Sequence, residues 1–134
     1  MVNAERDSSI VARSLVKKYG DVTALDGLNL DVRAGSVLGL LGPNGAGKTT
    51  AVSILTTLVK PNSGSATVAG VDVLANPEEV RRRIGLSGQY AAVDEHLTAT
   101  ENLEMIARLY GMNRRTAKAR AQELIERFRL TDAA

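Results

Sequence analysis

Residues Gly42 to Thr49 read G-P-N-G-A-G-K-T, and their chemistry is that of holding phosphate. The run fits the pattern G-x-x-x-x-G-K-[ST] without a mismatch. A triphosphate presents several anionic oxygens close together. Its host must bring many main-chain N–H groups near them with no side chains in the way. Gly42, Gly45 and Gly47 permit that approach, having no Cβ, and Pro43, Asn44 and Ala46 complete the loop between them. A loop of this kind feeds a helix N-terminus, where unpaired N–H groups and the helix dipole favour an anion. Lys48 would set a point charge on the β- and γ-phosphates. The Thr49 hydroxyl would ligate Mg²⁺, and Thr50 lies beside it for a further phosphate contact. The loop by itself indicates nucleotide binding and does not name a reaction.

Such a loop works only between a strand and a helix. Ser36 to Leu41 is short and apolar, which predicts a buried strand before it. Apolar residues at 51, 54, 55 and 58 predict a helix after it. Upstream, Ile10 to Leu15 and Ala24 to Val32 read as strands. The second alternates, with Leu28, Leu30 and Val32 on one face and Asn29 and Asp31 on the other. Ser65 to Val68 and Val71 to Val73 read as a further hairpin. Asn76-Pro77-Glu78-Glu79 predicts a helix start with Asn76 as cap and Glu79 as its reciprocal partner. That helix ends near Arg83, and Ile84 to Ser87 predicts another buried strand. Thr98-Ala99-Thr100-Glu101 is a capping box. The helix it opens carries Leu103, Ile106, Ala107 and Tyr110 on one face and ends at Gly111. A last helix, from Arg114 to Phe128, has the stripe Ala117, Ala121, Leu124, Ile125 and Phe128.

Composition excludes several classes of function. The 134 residues contain no cysteine, so neither disulfides nor a thiol nucleophile is available. The net charge is +2, too small to argue for nucleic acid or a membrane surface as partner. The basic runs Arg81-Arg82-Arg83, Arg114-Arg115 and Lys118/Arg120 read as solvated helix faces. No apolar run approaches the ~20 residues needed to cross a bilayer, and residues 1–7 contain no apolar signal region. With aromatics at 3%, the core must be built from Leu, Val, Ile and Ala, a composition typical of parallel sheets sandwiched by helices.

Several of these features together resemble the ATP-binding subunits of ABC transporters, over about residues 8 to 132. Tyr19, in V-K-K-Y-G-D-V-T-A-L-D-G, falls where that family carries the aromatic that stacks on adenine. Gln89 matches its Q-loop glutamine, which reaches Mg²⁺ or the attacking water and couples the site to the transmembrane partner. The run Gln89 to Glu95, with Leu97 to Leu103 after it, is similar to a narrower group, the ATPase subunits of daunorubicin/doxorubicin-resistance-type exporters. Leu86-Ser87-Gly88-Gln89 looks like a shortened L-S-G-G-Q signature. The signature belongs after the helical appendage, however, and this run precedes it.

The resemblance implies an α/β fold: a P-loop NTPase core with an antiparallel β-subdomain and the start of a helical subdomain. Residues 1–88 would be the ATP-binding core, and residues 89–134 the Q-loop and the first two helices of the helical part. ATP and Mg²⁺ would be the ligands, with Lys48 and Gln89 as catalytic groups and Thr49 and Gln89 on the metal. A transmembrane permease and a second ATPase subunit would be the partners, with no nucleic acid. The expected location is cytoplasmic, peripheral on the inner face of the cell membrane through the permease. These residues read as having no signature, no four-residue apolar strand ending in Asp-Glu and no switch histidine; His96 reads as a loop residue. The expectation is therefore ATP binding with little hydrolysis by a chain truncated before those motifs. A non-catalytic nucleotide-binding regulatory module is the alternative. A small P-loop kinase or GTPase fits less well, because two strands and an aromatic precede the loop and no N-K-x-D is present.

Overall fold

The computed structural model describes residues 8–88 and 93–131. They belong to two compact units, 1–86 and 87–134.

The first unit is built on a long hairpin, β1 (Ser8–Tyr19) and β2 (Val22–Arg33). β3 (Ser63–Val68) and the two-residue β4 (Val71–Asp72) complete an antiparallel sheet in the order β2-β1-β3-β4. The alternation read in β2 is present: Val32 is buried and Leu28 and Leu30 half-buried, while Asn29 and Asp31 are exposed. β1 does not alternate, and a bulge explains why. Ala12 and Leu15, three residues apart, are both fully buried. The register against β2 passes from Ala12↔Leu30 to Leu15↔Leu28, so β1 carries one extra residue there. Ser14 takes that place at φ 48°, and its amide donates to Asn29 Oδ1 at 3.0 Å. The bulge also meets β3. Gly64 sits at φ +91°, where a Cβ would lie 2.7 Å from the Arg13 carbonyl oxygen, so only glycine fits.

α1 (Lys48–Leu55) buries Ala51, Ile54 and Leu55 in a core with Ala12, Leu15, Leu25, Ala66 and Val68. Each fully buried side chain such as Ile54 or Leu15 is worth about 1.5–3 kcal/mol of transfer free energy. α1 ends three residues before the Leu58 expected from the apolar spacing. The Leu58 and Val59 amides turn back to the Ser53 carbonyl at 2.8 and 3.1 Å, and Thr57 adopts φ 65°. Leu58 is therefore exposed. α2 (Pro77–Arg83) adds Val80 to the same core, which Val73, just after β4, also joins. Pro77 opens it as expected, but Asn76 makes no side-chain cap. Asp72 Oδ1 takes the Leu74 and Ala75 amides at 2.8 Å each, and Glu79 pairs with Arg83 at 2.8 Å instead of reaching back.

Two expected strands are absent. Residues 36–41 and 84–87 have no regular structure. Val37 and Leu41 are 99% and 93% exposed, and Leu86 is also open. A strand is held by a ladder to its neighbour, and among the described residues no strand runs beside either segment.

The second unit is a helical pair, α3 (Ala99–Leu109) and α4 (Arg114–Arg127). The expected capping box is complete: Glu101 N–H donates to Thr98 Oγ1 at 3.2 Å, and Thr98 N–H donates to Glu101 Oε2 at 2.8 Å. Gly111 ends α3, with the Met112 amide returning to the Ala107 carbonyl. Ala107, Ala117, Ala121 and Ile125 are buried between the helices, whereas Ile106, Tyr110 and Phe128 are exposed. Both apolar stripes are thus narrower than the sequence spacing suggests. Three alanines and Ile125 meet at the seam, and Ile106, Tyr110 and Phe128 lie outside it.

Candidate functional site

The glycine loop is placed by the hairpin. Gly47, the N-cap of α1, has φ +82°. A Cβ there would collide with the Ala24 carbonyl and lie 2.7 Å from Leu25 Cδ2. The close approach seats the loop against the start of β2. Ala46 N–H donates to the Pro43 carbonyl at 3.2 Å, turning the chain through Asn44 and Gly45, and Ala51 N–H closes on the Gly47 carbonyl at 2.8 Å. Gly42 to Ala46 are exposed to solvent, as is Thr49, while Thr50 is half-buried in the first turn of α1.

Lys48 folds back over the loop. Its Nζ donates to the carbonyls of Gly42 and Pro43, each at 2.6 Å. Both acceptors are neutral. Among the described residues no carboxylate pairs with this ammonium. An uncompensated cation above a helix N-terminus makes the loop electropositive, which is what an anionic phosphate tail requires. The described residues contain no group of three or more His, Asp or Glu able to hold a metal by themselves. A Mg²⁺ ion would fit here in the manner usual for it, with one hydroxyl from Thr49 and the rest of its shell from phosphate and water.

Tyr19 closes the hairpin opposite Val22, two residues before Ala24 on the strand that touches Gly47. At ~3.3 Å per strand residue, the Tyr19 main chain therefore pairs with β2 two residues from the point where Gly47 meets it. Its ring is half-exposed. Lys17 Nζ stands 5.1 Å from the ring centroid and donates to the Lys60 carbonyl at 2.8 Å. Asn62 braces the same corner: its Oδ1 takes the Lys18 amide at 2.7 Å and its own N–H donates to Val16 O at 2.8 Å. Sequence reading passed over Lys17. Its signal was spacing: residues two apart on a strand share a face.

Gln89 lies outside the described residues. His96 is an exposed loop residue whose amide donates to Asp94 Oδ1 at 2.9 Å. Asn102 was also missed. It is the one buried polar side chain among the described residues. It accepts from the Asp94 amide at 2.9 Å and donates to the Asp94, Leu97 and Thr98 carbonyls at 3.0–3.1 Å, fastening the turn to α3.

The fold is that of an ATP-binding cassette. It superimposes with a TM-score of 0.73 and 26% identity on a dimeric ATP-binding cassette in a post-hydrolysis state bound to ADP and Pi, over 87% of this chain and 56% of that one. The family model for ABC transporters matches residues 25–134, and the chain belongs to that family. Among curated relatives, the daunorubicin resistance ATP-binding protein DrrA2 of Streptomyces coeruleorubidus is 60% identical over 125 residues, 93% of this chain and 39% of that protein. The daunorubicin/doxorubicin resistance ATP-binding protein DrrA of Streptomyces peucetius is 52% identical over 132 residues, 98% of this chain and 40% of that protein. The chain thus spans about two-fifths of the length of these relatives. No helix among the described residues is long and apolar enough to cross a membrane.

Proposed function

We propose that this chain is the nucleotide-binding part of an energy-coupling ATPase subunit in a drug-exporting ABC transporter. The observation that carries the reading is Lys48. Its ammonium bends onto two loop carbonyls beside a helix N-terminus that Gly47 seats on β2. In the proposed complex, Lys48 leaves these neutral acceptors for the β- and γ-oxygens of ATP. Main-chain amides from Gly42 to Thr50 surround the phosphates, the Thr49 hydroxyl joins the Mg²⁺ shell, and Tyr19 stacks on adenine. Gln89 orients the attacking water and reaches the metal; a neutral amide can do this without acting as a strong base.

The names of the relatives support drug export as the process served. The proposed partners are a transmembrane permease, through which the chain sits on the inner face of the membrane, and a second ATPase subunit. A dimer is what the ADP-bound structural relative forms. Among the described residues no strand ends in Asp-Glu, the one Asp-Glu pair, Asp94-Glu95, lying in a loop, and the sequence has no L-S-G-G-Q motif. The proposal is therefore that they bind Mg-ATP and, by themselves, release phosphate from it negligibly.

Titration with a non-hydrolysable ATP analogue tests the site. Lys48→Ala is expected to weaken binding roughly 10- to 100-fold, the value of one charge-assisted contact, and Tyr19→Ala to weaken it as well. Unchanged affinity in Lys48→Ala refutes the phosphate site. Loss with Lys48→Ala but not with Tyr19→Ala removes the adenine assignment alone. A phosphate-release assay at the rate of a complete transporter subunit would overturn the claim of negligible hydrolysis.

A further inference from the structure

We infer that Lys17 is a positioning residue for the base: it holds the Tyr19 ring by covering one face, so that the purine stacks on the other. This rests on the nucleotide-binding reading above and adds a residue to it. Lys17 and Tyr19 are two apart on β1 and so project from the same face of the strand. The Lys17 ammonium stands over the Tyr19 ring at 5.1 Å, within the range of a cation–π contact. The same Nζ donates to the Lys60 carbonyl at 2.8 Å. That second bond ties the cation to the turn after α1, and Asn62 in that turn is bonded to β1 on both sides of Lys17. Lys17 is therefore fixed from two directions, and its position decides which ring face remains open. A half-exposed tyrosine at a hairpin end would otherwise turn freely about its side-chain torsions. Holding it in place removes an ordering cost that the base would have to meet on binding.

The test separates base from phosphate. Affinities of Mg-ATP and Mg-tripolyphosphate are measured by calorimetry for wild type, Lys17→Met, Lys17→Arg, Tyr19→Ala and the Lys17→Met/Tyr19→Ala double variant. Methionine keeps the apolar stem and removes the charge. Lys17→Met is expected to weaken Mg-ATP roughly three- to tenfold and to leave tripolyphosphate unchanged. Lys17→Arg restores ATP affinity, because a guanidinium stacks on an aromatic face as well. In the Tyr19→Ala background, Lys17→Met has no further effect.

Equal loss for both ligands overturns the inference, since Lys17 would then act on the phosphates or on the fold. Undiminished ATP binding in Lys17→Met, with Tyr19→Ala impaired, overturns it while sparing the nucleotide site. If wild type binds neither ligand, the nucleotide reading falls and the role of Lys17 falls with it.

Discussion

Gly47 carries two constraints at once, a positive φ and contact with Ala24 and Leu25. Gly47→Ala adds left-handed strain of about 1–2 kcal/mol to overpacking of about 1–3 kcal/mol. It should lower the urea midpoint and abolish ATP-analogue binding together. Thr57 predicts the opposite sign. A β-branched residue at φ 65° is strained where the helix turns back. Its Oγ1 receives only an exposed bond from Arg81 Nε at 2.8 Å. Thr57→Gly should therefore stabilise by about 1 kcal/mol, read as a rise in the same midpoint. The glycine loop was legible residue by residue because its spacing is set by phosphate chemistry. Lys17 and Asn102 were not. Their roles depend on which segments come back to meet them, and no local pattern records that.

Among the elements, the capping box was legible and the Asn76 cap was not. Both have the right letters, but Asp72 lies just upstream of the second helix and takes two of the amides there. In the box, the Thr98 amide and hydroxyl both donate to Glu101 and hold its carboxyl below the usual range. A lowered folded pKa means the contribution is present above the unfolded value and is lost as pH falls through the folded one. Wild type should thus exceed Glu101→Gln in stability at neutral pH, with the difference shrinking as pH falls below the ordinary carboxylate range and through the lowered folded pKa. Helical circular dichroism under urea at each pH checks it, and a pH-independent difference would exclude the carboxylate as its source. Replacing Thr98 with Ala should cost about 1 kcal/mol, the usual value of an N-cap. The expected strands at 36–41 and 84–87 had the composition of buried strands, but composition cannot supply the neighbour that a ladder needs.

At the scale of the whole molecule, the open apolar run Val37, Leu38, Leu40 and Leu41 is an invitation to self-association. Sedimentation should show oligomers growing with concentration. Val37→Lys with Leu41→Lys should shift the chain towards monomer without lowering the urea midpoint, since neither side chain is packed. A monomer at every concentration would count against that. The antiparallel sheet and the helical pair were legible in outline, because hairpin turns and caps are written locally. The bulge at Ser14 was not, since it breaks the alternation from which strands are read. It carries a consequence for descent. β1 is one residue longer than β2 between Ala12 and Leu15, and β2 regains that residue between Leu28 and Asp26. Deleting the extra residue Ser14 alone would leave Ala12 and Leu15 two apart on one face, so a lone single-residue gap in relatives should fall at this bulge. A lone gap in a stretch of β1 without a bulge would instead send every residue beyond it to the opposite face of the sheet.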